Sequence, residues 1–182
     1  MQWLPHPPLL RPLRRWLSAS GSLSARLQQA CERFSVQRLR QGASPIRYDE
    51  AQALARQRQR RGHAREVVLR CDGEAVVYAR SVVAAPHVRG PWRALIGLGS
   101  RPLAQLLFQQ RPVDRSPLAY ARVPRCGPAR RRIESAWREA TGEAVPRGAL
   151  WARRSVFAKR GCRLWLMEVF SPDIVRRRRP GR

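Results

Sequence analysis

Lysine is almost missing from this 182-residue chain: Lys159 is the only one among 37 basic residues. Acidic residues are scarce too, 12 in all, which leaves a formal net charge of +25. An excess of that size ordinarily points to nucleic acid or an anionic surface. Here arginine carries nearly all of it, as GC-rich codons produce without any polyanion to bind. The arginines are scattered rather than gathered in a stripe, apart from Arg130–Arg132 and Arg176–Arg179. Few aromatics alternate with them as a base-stacking platform requires. Polyanion binding is kept only as a minor alternative.

Other absences narrow the field further. No apolar run approaches the roughly 20 residues of a membrane-spanning helix. Pro5, Pro7, Pro8 and Pro12 interrupt the first sixteen residues, which lack the apolar middle of a signal peptide. The expectation is a cytoplasmic protein with no stable membrane insertion. Cys31, Cys71, Cys126 and Cys162 show no C-x-x-C spacing, and His6, His63 and His87 complete no metal-ligand pattern with them. They read as free thiols, with Cys71 and Cys162 packed in strands. No Walker loop, G-x-G-x-x-G or G-x-S-x-G occurs. Chemistry is therefore expected to proceed without metal, nucleotide or covalent serine, and no cofactor is assigned.

What is present suits one domain, since hydrophobic residues make up 43% of the chain. Leu9, Leu10, Leu13, Trp16 and Leu17 recur at helical spacing. Ser22 reads as the N-cap of a helix reaching about Glu32, with Leu23 and Leu27 on one face. A strand follows over Phe34 to Arg40, then a polar, solvated helix from Ala51 to about Arg60 behind Asp49. Later come a short helix near Pro91 to Ile96 and a second, Pro102 to Gln109, behind Ser100. Residues 111–123 look extended. Residues 124–149 are polar and rich in Pro, Gly and Arg, and read as an excursion carrying a surface helix, Ala129 to Ala140. The division is a 1–13 extension, a 14–172 domain and a 173–182 basic, disordered tail.

The best-defined element is Arg65 to Val83. Asp72-Gly73 between β-rich runs signals a hairpin, because a type I′ turn needs positive φ at both centres. An uninterrupted register sets Cys71 opposite Glu74, Leu69 opposite Val76, Val67 opposite Tyr78 and Arg65 opposite Arg80. Val67, Leu69, Cys71, Val76 and Tyr78 then form a core face, finished by two facing arginines. Opposed guanidiniums beside a core repel and lose hydration. Either a small dicarboxylate satisfies both, or they snorkel outward or pair with internal acids. A second hairpin runs from Trp151 to Ala158, through Lys159-Arg160-Gly161, into Cys162 to Phe170. There Glu168 shares a face with Leu164, Leu166 and Phe170, while Trp165, Met167 and Val169 share the other. A carboxylate in that position is either functional or ion-paired to a nearby arginine.

Five blocks occur in an order that resembles the chorismate pyruvate-lyase family. They are Arg65-Glu-Val-Val-Leu-x-Cys-Asp-Gly-Glu74, Ala79-Arg-Ser-Val-Val83, Leu98-Gly-x-x-Pro-Leu-x-x-x-Leu-Phe108, Leu150-Trp-x-Arg-Arg-Ser155 and Met167-Glu-Val-Phe170. The resemblance covers about residues 14–172. It implies a single α+β domain, an antiparallel sheet with helices closing over an internal ligand site. It implies conversion of chorismate to 4-hydroxybenzoate and pyruvate, the committed step into ubiquinone, by a monomer without a cofactor. It also implies that Arg65 holds a substrate carboxylate and that Arg80 is a second arginine of the same cavity. Glu168 would lie near the ring hydroxyl, with Leu103 and Leu23 as further ligand contacts. Glu168 as general base and a pericyclic path both remain open. An alternative is a non-catalytic metabolite-sensing domain of the same fold, although the residues before Arg65 carry no winged-helix pattern.

Overall fold

Three long neighbouring strands come first, β1 (Phe34–Pro45), β2 (Arg61–Cys71) and β3 (Glu74–Ala84), the last two buried along most of their length on both faces. The computed structural model describes residues 1–9, 11–55, 58, 60–108 and 113–177. Short strands β4 (Asp114–Arg115) and β5 (Ala119–Arg122) follow, then the hairpin β6 (Trp151–Lys159) and β7 (Cys162–Phe170). All pairings are antiparallel, in the order β1-β2-β3-β7-β6-β4, with β5 also on β6. Side chains alternate across the pleat, so both faces need cover. On the first face, Val67, Leu69, Val77, Ala79 and Leu164 lie under α1 (Arg11–Leu17), α2 (Leu23–Ala30) and α5 (Leu103–Phe108). On the second, Val68, Tyr78, Val82, Trp165 and Val169 lie under α3 (Tyr48–Ala53) and α6 (Pro128–Thr141). The short α4 (Ala85–Val88) leads out of β3. This is the expected α+β arrangement.

The Asp72-Gly73 turn forms as expected, with φ of 53° and 86°. The register behind it does not. Cys71 pairs with Glu74 and Arg70 with Ala75, but then Leu69 meets Val77 rather than Val76. Val76 is an inserted residue, a β-bulge. Its carbonyl accepts from the backbone N–H of Ser171 at 2.9 Å, just beyond β7, which supplies a partner outside the β2–β3 ladder. The insertion flips every later residue of β3 to the other face. Val77, Ala79 and Ser81 turn to the first face, and Tyr78, Arg80 and Val82 to the second. Arg65 therefore faces Ser81, and Arg80 faces Glu66.

Four further expectations are corrected by packing. The first strand runs on past Gln41-Gly42 to Pro45. The helix near Asp49 begins at Arg47, whose backbone N–H donates to Glu50 Oε2 at 2.9 Å, and it buries Glu50, Ala51 and Leu54, so it is not a solvated face; residues 56, 57 and 59 of its expected span lie outside the described residues. The 124–149 segment is no excursion, since α6 lays Ile133, Ala136 and Trp137 into the second core. Both ends of the chain are engaged as well. Leu4 bridges to Tyr120, and Leu13 is buried. A 3-10 turn, Pro172–Arg176, buries Ile174 completely. Arg15 donates to the carbonyls of Val175 and Arg177, and Arg177 pairs with Asp72 at 2.9 Å. Residues 178–182 of the expected tail lie outside the described residues.

Candidate active site

Two rows of side chains cross the first face of the sheet. One runs Arg65, Ser81, Leu166, Ser155, and the next runs Val67, Ala79, Glu168, Arg153. The small residues Ala79 and Ser81 leave space over the middle of the sheet. The start of α2 (Ser22, Leu23) and the inner side of α5 (Leu103, Leu107) roof that space. The result is a cavity beneath that roof, open at its mouth. Arg65, Glu168, Leu103 and Leu23 all line it; Arg80 does not.

Arg80 is buried on the opposite face. Its Nε donates to Glu50 Oε1 at 2.7 Å and its Nη1 to Glu66 Oε1 at 2.7 Å. Burial disfavours its charge, but hydrogen bonds and attraction from the two glutamates outweigh that and raise its pKa. The bulge at Val76 is the physical reason it leaves the cavity. The expected repulsion between facing arginines is absent.

Arg65 stands in the contrasting position. It is 3% exposed, and Nη2 donates to the carbonyls of Gly99 and Arg101, both at 2.9 Å. These bonds tie the loop ahead of α5 to the sheet. Its Nε has no partner, and no carboxylate reaches the guanidinium among the described residues. Burial, with a contribution from the Arg38 charge, pushes its pKa down to about 10. A buried guanidinium without an anion is unfavourable by itself, and its open edge belongs to a cavity wall.

Glu168 sits between the two ends of the cavity, paired with Arg153 directly across the strand. Arg153 Nε donates to Glu168 Oε2 at 2.6 Å, with Arg153 1% exposed. Its Nη1 donates to the carbonyls of Trp16, Leu17 and Ala19 at 3.0–3.2 Å. The first two end α1, where helical carbonyls lack intrahelical partners, and Ala19 follows just beyond it. Arg153 thus anchors a helix terminus and fixes one carboxylate oxygen. Glu168 Oε1 takes no hydrogen bond among the described residues. The site therefore offers a positioned carboxylate with one oxygen to spare.

Arg115 completes the wall beyond β6. Its Nε donates to Ser155 Oγ at 3.3 Å and its Nη1 to the Gly21 carbonyl at 3.1 Å. Its guanidinium lies 5.2 Å from the centre of the Phe157 ring. Burial first, and the neighbouring Arg153 charge next, lower its pKa against the opposing pull of Glu168.

Neither Arg115 nor Arg153 was singled out by sequence reasoning. Arg153 was within reach. Residues 160 and 161 form a two-residue turn that pairs Lys159 with Cys162, and counting back pairs Arg153 with Glu168. Arg115 lies in a two-residue strand with no periodicity to read.

A sheet face roofed by two helices, holding a buried arginine without an anion and a half-engaged carboxylate, defines an α+β protein with an internal cavity of a chemistry that suits a small anion. The chorismate lyase family model matches residues 4–179, and the chain belongs to that family. A probable chorismate pyruvate-lyase of Albidiferax ferrireducens is 50% identical over 158 residues, covering 87% of this chain and 80% of that one. Another from Azoarcus sp. is 44% identical over 95% of this chain and 92% of its own length. Among solved structures, the PhnF C-terminal domain superposes with a TM-score of 0.58 at 15% identity, covering 84% of this chain and 89% of that one. The C-terminal domain of a histidine utilization repressor from Pseudomonas syringae gives 0.56 at 14% identity, covering 82% and 98%. These two show a shared fold.

Proposed function

We propose that this chain converts chorismate to 4-hydroxybenzoate and pyruvate, acting without a cofactor as a cytoplasmic monomer that feeds ubiquinone synthesis. Membership of the chorismate lyase family supports the reaction. The observation that carries the residue assignment is Arg65, a buried guanidinium in a cavity wall with no carboxylate of its own. Arg65 receives the ring carboxylate, the one 4-hydroxybenzoate retains, through its unpartnered edge. Leu23 and Leu103 cover the ring from the roof.

Glu168 then lies toward the para position. With Oε2 held by Arg153, Oε1 is left to meet the substituents of ring carbon C4. In the reaction the C4 hydrogen is lost and the ether bond at C3 breaks. The departing enolpyruvyl group becomes pyruvate, and the ring becomes aromatic. Aromatisation supplies the driving force, so the protein's work is to enforce one conformer and orient its ends. Purified protein given chorismate should release 4-hydroxybenzoate and pyruvate in equal amounts, at a rate unaffected by chelator. Folded protein that leaves chorismate intact would overturn the lyase reading and favour a sensing domain, a use compatible with the fold shared with the C-terminal domain of a histidine utilization repressor.

A further inference from the structure

We propose that Arg115 is the subsite for the second carboxylate of the substrate, the one that departs with pyruvate; this rests on the chorismate reading above. A dianion needs two cations, and the obvious second one, Arg80, is consumed by Glu50 and Glu66 on the far side of the sheet. Among the described residues three arginines line the cavity: Arg65, Arg115 and Arg153. Arg153 is spent on Glu168 and on three backbone carbonyls. Arg115 has only a hydroxyl and one carbonyl as partners, and its Nη2 makes no hydrogen bond among the described residues.

Position agrees with this assignment. Reading across the sheet, Arg65 lies on β2, the small Ala79 and Ser81 on β3, Glu168 on β7, and Arg115 on β4 beyond β6. Neighbouring strands are about 4.8 Å apart, so this order is a scale along the cavity. It matches the order of groups along the substrate: ring carboxylate, ring, C4, and the enolpyruvyl carboxylate carried next to C4 at C3. Arg115 also rests on the Phe157 ring, which fixes the plane of the guanidinium. An arriving carboxylate relieves the burial and the Arg153 repulsion that disfavour its charge.

The test compares two ligands on wild type, Arg115→Gln and Arg115→Lys by calorimetric titration. One is 4-hydroxybenzoate, with one carboxylate; the other is meta-(carboxymethoxy)benzoate, a dianion with the ether oxygen but no cleavable enol. Arg115→Gln should weaken the dianion about 10- to 100-fold, the worth of a lost charge-assisted hydrogen bond. 4-Hydroxybenzoate should change by less than about twofold, and Arg115→Lys should recover part of the dianion's affinity. The fall in kcat/KM for chorismate should track the dianion. Equal weakening of both ligands, or of neither, would overturn the subsite. A wild-type chain inert toward chorismate yet selective for the dianion through Arg115 would remove the lyase reading and leave the subsite standing.

Discussion

Arg65 and Arg80 belong to one hairpin and point to opposite faces, so replacing them separates stability from binding. Arg80→Ala leaves the buried Glu50 and Glu66 with the longer ion pairs to Arg47, at 3.6 and 3.7 Å, in place of two contacts at 2.7 Å. Removing one member of such a network typically costs about 3–5 kcal/mol, and a denaturant melt should show a loss of that order. Arg65→Gln removes a buried charge that has no counter-ion, so its melt should shift little or move upward. A mild effect at Arg80 together with a large loss at Arg65 would reverse the assignment of faces. Four of the residues to which the resemblance assigns ligand contacts, Arg65, Glu168, Leu23 and Leu103, border one cavity. Arg80 was misplaced because the inserted Val76 is sustained by Ser171, far along the chain, a contact that no local pattern encodes.

At the scale of elements, α6 shows how composition hides packing. Its arginines and glutamates suggest a solvated segment, yet Ile133, Ala136 and Trp137 recur at helical spacing and are buried. Gly142 ends it in the left-handed conformation, with its N–H on the Arg138 carbonyl. Trp137→Ala should cost about 3–5 kcal/mol, the range for an aromatic removed from a core. Deleting 126–147 behind a flexible bridge should leave the second face of the sheet uncovered and the protein largely unfolded. A cooperative melt close to wild type in the deletion would return α6 to the role of a surface excursion. The hairpin turns and the α2 cap were legible because each rests on neighbouring residues: Ser22 Oγ accepts from Ala25 N–H at 3.0 Å. The contacts of Ile174, Arg15 and Leu4 join distant parts of the chain, and only the folded structure displays them.

In the molecule as a whole, the sheet separates two kinds of arginine. On the second face Arg80 is neutralised within the protein, and its network locks α3 to the strands. On the first face Arg65 and Arg115 are held by carbonyls and a hydroxyl, which orient a guanidinium without neutralising it. On that face the cations border a cavity roofed by α2 and α5. Arg65, Arg80 and Arg153 are the arginines buried among the described residues, a small share of the chain's positive charge. The most direct measurement is a calorimetric titration of 4-hydroxybenzoate into wild type, Arg65→Gln and Arg80→Lys, the last keeping a cation between Glu50 and Glu66. The expected result is binding to wild type and to Arg80→Lys with affinities within a few-fold of one another, and loss of about 10-fold or more in Arg65→Gln. Binding that survives in Arg65→Gln and disappears in a folded Arg80→Lys would contradict it.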